Sequence, residues 1–204
     1  MKDKYGRTID YLRISVTDRC DLRCVYCMPE EGIEAVTHDE ILTFDEIAYI
    51  VGVMASMGLK KIKLTGGEPL CRKNLPALVR QLKSIEGIES VTITTNGVLL
   101  EGLIDELVDS GIDSINISLD TLKKETFELI TRRDRFKDAY AGLKSALRYS
   151  NDIKIKINCV PISTEDDILS IVELANNNNL YVRFIEVMPI GLGRFYKGKT
   201  RDEL

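Results

Sequence analysis

The sequence predicts an α/β fold built on a parallel sheet. Short β-branched segments alternate with helical segments about six times along 204 residues. Each strand-like segment is followed by Gly, Asn, Asp or Pro. Polar and glycine-rich groups gather after the strands. Strands that alternate with helices must cross over, and crossover connections produce parallel pairing with helices outside the sheet.

The strands are expected at 11–16, 61–65, 91–95, 114–119, 153–160 and 181–187. A first helix should start after Thr43, whose hydroxyl faces a Glu three residues on, and stop at Gly58. A second is expected over 74–83, with Pro76 in its first turn. A third should span 101–110 and end at Gly111, followed by a split pair at 124–130 and 137–149. Ser163 or Thr164 should cap a last helix over 165–176. A doubly wound open sheet and a barrel both satisfy this order. Each gathers its ligands at the C-terminal ends of the strands.

That rim can be read along the chain. Three cysteines follow the first strand, and Thr65-Gly66-Gly67-Glu68-Pro69 follows the second. Thr94-Thr95-Asn96-Gly97 ends the third and Ser118-Leu119-Asp120 the fourth. Lys156 and Asn158 close the fifth, and Arg183, Glu186 and Met188 the sixth. One such cluster is ordinary turn chemistry. Six at the same end point to a site.

Composition narrows the function. A net charge of −4 gives no bulk attraction to nucleic acid, so no nucleic-acid partner is expected. No run of about eighteen apolar residues occurs, and no membrane partner is expected. The N-terminus is charged and lacks an apolar signal region. Five mostly clustered cysteines do not form a secreted disulfide framework, so a reducing cytoplasm is expected.

Cys20, Cys24 and Cys27 are spaced C-x3-C-x2-C. Thiolates suit iron–sulfur clusters, zinc or Cu(I). A closed zinc site or an electron-transfer cluster wants four protein ligands. Three local thiols would leave one iron of a cubane open to a substrate or cofactor. The competing reading is zinc completed by a distant Cys71, Cys159 or His38, in a binding module without catalysis. No second cysteine or histidine pair supports it.

C-x3-C-x2-C with Tyr26 before the last cysteine, followed by G-G-E-P, resembles the radical S-adenosylmethionine (SAM) superfamily. Leu12–Cys20, 26–33, 63–70, T-T-N-G, N-I-S-L-D and 183–188 together resemble its GTP 3′,8-cyclase family, of molybdenum cofactor biosynthesis. The likeness runs from about Tyr5 to about Gly193. It implies a partial (βα)6 barrel of the TIM type and a lyase activity. A 4Fe–4S cluster on Cys20, Cys24 and Cys27 and S-adenosyl-L-methionine are the implied cofactors. Tyr26, Gly66, Gly67, Glu68, Ser118 and Met188 are implied contacts of the cofactor. Arg13, Lys63, Thr94, Lys156 and Arg183 are implied contacts of GTP. In that family a 5′-deoxyadenosyl radical takes hydrogen from the ribose C3′, and C3′ bonds to C8 of guanine.

The physical reading is compatible with these roles. Glycines admit close backbone approach. Glu68 can face an amino group. Cations on the inner side of strands need anionic partners. These would be GTP, or otherwise Glu68, Asp120 and Glu186. The resemblance also implies a small electron donor of the flavodoxin or ferredoxin type and a downstream pathway enzyme, and it admits a homodimer. A peptide-modifying radical SAM enzyme is the alternative within the superfamily.

Two departures stand out. Lys63 falls where the family carries arginine, so a bidentate fork is lost there. The family's C-terminal extension, with a second cluster on three further cysteines, has no counterpart here; residues 1–204 are expected to be a core domain alone. Its open side is expected to expose apolar surface, and the isolated chain to bind cluster and cofactor while forming little cyclised product.

Overall fold

The structure, a computed structural model, describes residues 2–34 and 36–203. Six parallel strands form one sheet in sequence order: β1 Tyr11–Ser15, β2 Lys61–Thr65, β3 Ser90–Thr95, β4 Ser114–Ser118, β5 Lys154–Cys159 and β6 Tyr181–Phe184. Strict sequential order decides between the two expected architectures. A doubly wound sheet reverses its strand order midway. This sheet winds one way, as a TIM-type barrel does, with β1 and β6 left as edges.

Helices α1 Phe44–Ser56, α2 Leu75–Lys83, α3 Ile104–Asp109, α4 Lys124–Thr131, α5 Phe136–Leu147 and α6 Glu165–Asn176 fill the crossovers. Thr43 caps α1 with the expected reciprocal Glu46 box. α3 starts later than expected, because Gly102 and the absence of a capping side chain leave 101–103 as a turn. β6 stops at Phe184 rather than at residue 187.

Period-two alternation divides the sheet into two faces. Ile62, Leu64, Val91, Ile93, Ile115, Ile117, Ile155 and Ile157 turn toward the helices and are buried. They meet Val51, Leu78, Leu82, Leu107, Leu143 and Ile171 in one core. The opposite face carries Arg13, Lys63, Thr92, Ser114 and Lys154 in one register layer, and Thr94, Asn116, Lys156 and Tyr181 in the next. The concave side of the sheet is therefore polar and cationic. Exposed Met188, Ile190 and Phe195 lie beyond β6. No helix among the described residues is long and apolar enough to cross a membrane.

Candidate functional site

The cysteine loop leaves β1 and is held from two sides. Val16 N–H donates to Thr65 O (2.9 Å), extending the sheet by one bond. Gly67 N–H then donates to Thr17 O (2.7 Å) and Glu68 N–H to Arg19 O (2.7 Å). The loops touch so closely that a Cβ on Gly67 would lie 2.3 Å from Arg19 O, and one on Gly66 2.6 Å from Thr17 O. The glycines thus serve contact between two stretches of this chain, while their other sides are exposed.

On the far side the loop rests on the end of α4. Arg23 N–H donates to Thr131 O and Val25 N–H to Ile130 O, both at 2.9 Å. Arg132, in the left-handed region (φ 55°), sends its guanidinium to Arg23 O and Met28 O. Cys27 N–H donates to Cys24 O (2.9 Å), closing the C-x2-C turn. Tyr26 donates its hydroxyl hydrogen to Asp120 Oδ2 (2.6 Å), and Asp120 Oδ1 accepts from Val160 N–H (2.7 Å).

Cys20 and Cys24 are half-buried and Cys27 is exposed. Burial pushes all three thiols up. They stay protonated until a cation takes the proton's place, as structural thiol ligands do. Among the described residues no group of three or more His, Cys, Asp or Glu side chains converges closely enough for one metal ion. A cluster does not require that convergence, since each thiolate binds its own iron. A set of three thiols supplied by one loop fits a cluster with one iron left open.

Tyr26, Ser118, Cys24, Asn96 and Asp120 line a small hollow of about 40 Å³ beside the loop. Met188 is exposed past β6, apart from that hollow. Glu68 is buried, and its carboxylate accepts from Thr95 Oγ1 (2.7 Å), Leu70 N (3.0 Å) and Asn96 N (2.6 Å). These bonds tie β3 to the loop after β2. Thr95, Asn96 and Asp120 are contacts that no motif spacing singles out as a unit.

The substrate candidates share the concave face. Arg13 pairs in register with Lys63, Thr94 lies two strands from Lys156, and Arg183 lies beside Asn158. Burial pushes Lys63 down, and the charges of Arg13, Lys156 and Arg183 add to it. Burial, then Arg183 and Lys154, do the same to Lys156. None of the four predicted cations forms an ion pair among the described residues. Glu68 and Asp120 are engaged elsewhere, so they do not supply the anionic partners.

Lys63, Lys156, Thr92, Ser114 and Asn116 line a hollow of about 360 Å³. The Ser114 hydroxyl and the amide oxygens of Asn116 and Asn158 are buried without a partner. Buried polar atoms are normally satisfied, so these two amide oxygens and one hydroxyl fit a ligand that brings hydrogen-bond donors. Lys154 and Asn116 are legible in the sequence only as alternating strand positions, since their register with the other cations needs the structure.

Burial raises Glu68 to about 7 and Asp120 to about 6. A raised acid keeps its proton longer in the folded chain than in the unfolded one. Stability from these groups is fully present below about pH 4 and lost as pH rises through 6 and 7. The thermal midpoint of the metal-free chain should fall between pH 5 and 8. Glu68→Gln should flatten that slope and cost about 1–3 kcal/mol, because its amide nitrogen would face a hydrogen-bond donor. A midpoint that rises across this window contradicts the assignment.

A sequence model of the radical SAM superfamily matches residues 14–175. The GTP 3′,8-cyclase of Clostridium perfringens (strain 13 / Type A) is 45% identical over 206 residues, covering 100% of this chain and 63% of that protein. The GTP 3′,8-cyclase of Pelotomaculum thermopropionicum is 49% identical over 193 residues, covering 94% and 59%. The chain thus spans about three-fifths of the length of these curated relatives. Streptococcus suis SuiB, solved with S-adenosylmethionine, superposes with a TM-score of 0.72 at 20% identity, covering 89% of this chain and 40% of that one. Methylornithine synthase (PylB) gives 0.70 at 16%, covering 94% and 58%. At those identities the likeness is one of fold.

Proposed function

The chain belongs to the radical SAM superfamily, and on that premise we propose that it is the core domain of a GTP 3′,8-cyclase acting in molybdenum cofactor biosynthesis, which converts GTP to (8S)-3′,8-cyclo-7,8-dihydroguanosine 5′-triphosphate. One observation carries the substrate: four cations from four strands, none in an ion pair among the described residues, share one concave face of the sheet. Like charges held together without an ion-pair partner raise the free energy of the empty site. A triphosphate relieves it.

Cys20, Cys24 and Cys27 would hold the 4Fe–4S cluster, and S-adenosyl-L-methionine would complete its open iron. Together the two would supply one-electron radical chemistry. The chain's own residues do the rest of the work. The Gly66–Gly67 loop and α4 fix the cysteine loop against the sheet. Asp120 holds Tyr26 over the small hollow beside Ser118. Arg13, Lys63, Lys156 and Arg183 bind phosphate oxygens, with Thr94 offering a hydroxyl. Orienting the substrate in this way converts an encounter into an intramolecular step. Electrons would come from a flavodoxin- or ferredoxin-type donor, and the product would pass to the next pathway enzyme.

GTP affinity measured by equilibrium dialysis tests the reading. Lys156→Ala should weaken binding by about 10- to 100-fold, the value of one charge-assisted bond. Lys63→Arg should bind GTP at least as tightly as the natural chain, because the guanidinium restores a two-pronged contact. Equal affinity for GTP and guanosine would remove the triphosphate from the site.

A further inference from the structure

We propose that Asn96 is a positioning residue that donates a hydrogen bond to the Cys20 sulfur and so sets the reduction potential of the cluster. This rests on the cluster assignment above. Asn96 follows β3, and its side chain is fixed at every polar atom. Oδ1 accepts from Val98 N–H (3.0 Å). Nδ2 donates one hydrogen to Asp21 Oδ1 (2.6 Å) and lies 4.0 Å from Cys20 Sγ with the other. Its backbone N–H donates to Glu68 Oε2 (2.6 Å), so the buried carboxylate holds the residue from behind.

This network determines which way the amide faces. A flipped Asn96 would set its oxygen against the Asp21 carboxylate and its nitrogen against the Val98 N–H. The nitrogen therefore faces the sulfur. Asp21 follows Cys20 in the chain, and its carboxylate and the Cys20 sulfur share the Asn96 amide nitrogen. Reduction adds negative charge to the cluster and its sulfur ligands, so a donor stabilises the reduced form and raises the potential. The same amide binds Asp21, so one residue offsets the nearby carboxylate and supports the ligand. Cys24 and Cys27 have no comparable side-chain amide donor among the described residues.

The test is a redox titration of the reconstituted chain, followed by electron paramagnetic resonance. Asn96→Leu keeps the volume and removes both donors. At a fixed potential near the natural midpoint it should cut the ratio of reduced to oxidised cluster about tenfold, equivalent to about 59 mV for a one-electron couple. Asn96→Asp keeps the acceptor toward Val98, removes the donors and adds charge; it should shift the potential further in the same direction. A midpoint equal to the natural one, at equal iron content, overturns the inference. A second measurement needs no variant. With [γ-15N]asparagine in the natural chain, the reduced cluster should show a 15N hyperfine coupling. Its absence overturns the inference whatever the variants do. A natural chain that takes up no iron and sulfide overturns the cluster reading itself, and the inference with it.

Discussion

Cys24→Ala is expected to leave a folded chain that retains almost no iron–sulfur cluster and forms no 5′-deoxyadenosine above background. Cys24 is the middle ligand of the proposed set, and its carbonyl accepts the Cys27 N–H that closes the C-x2-C turn. That bond is made by the backbone and survives the substitution. The thiol is half-buried against the core, and removing one sulfur there costs roughly 1 kcal/mol. Loss of one of three ligands removes far more from cluster affinity than from folding. Cys71→Ser is the matched control, since Cys71 lies outside the C-x3-C-x2-C loop, at the end of the turn after β2. It should keep its iron. Iron analysis and the near-ultraviolet and visible spectrum separate the two outcomes; equal iron loss in both variants would mean that the loop is not the ligand source.

Gly67→Ala is expected to be nearly as damaging, by a different route. The added carbon would sit 2.3 Å from Arg19 O and 2.6 Å from Asp18 O, both backbone atoms that cannot rotate away. The loops must part, which strains Gly67 N–H to Thr17 O and Glu68 N–H to Arg19 O. Glu68 then pulls on Thr95 and Asn96. Overpacking of this kind costs about 3 kcal/mol, a fall in thermal midpoint of roughly 6–12 °C at this chain length. Cluster content should fall with it, because the cysteine loop loses one of its two supports. Gly102→Ala, with nothing within 4 Å of the added carbon, should leave both properties unchanged. A normal midpoint in Gly67→Ala would show that the loops tolerate separation.

Much of this architecture is legible in the sequence. The alternation of Ile62, Leu64, Val91 and Ile93 with Lys63 and Thr92 is a period-two signal, and it fixes both the strands and their two faces. Thr43 and Glu46 mark a helix start because capping is a local interaction three residues long. The choice of a singly wound sheet is not legible, since periodicity carries no strand order. Nor is the chemistry of the open face, whose polarity follows from register among five neighbouring strand pairs. Gly66 and Gly67 announce close approach in sequence, yet sequence cannot say that the approaching group is the chain's own backbone. Glu68, Asn96 and Asp21 form a buried network across separations of 28 and 75 residues. Each of these residues sits in a separate motif, and no motif or period gives their contact, so only the fold reveals it. The Arg132 brace is hidden for the same reason, 104 and 109 residues from the carbonyls it holds.

The most direct measurement is 5′-deoxyadenosine released by the chain after anaerobic reconstitution with iron and sulfide, reduction, and addition of S-adenosyl-L-methionine with and without GTP. Release that depends on Cys20, Cys24 and Cys27, and that increases when GTP is added, is the predicted result. A fully loaded cluster that cleaves no cofactor, or cleavage that ignores GTP while Lys156→Ala behaves like the natural chain, would contradict it.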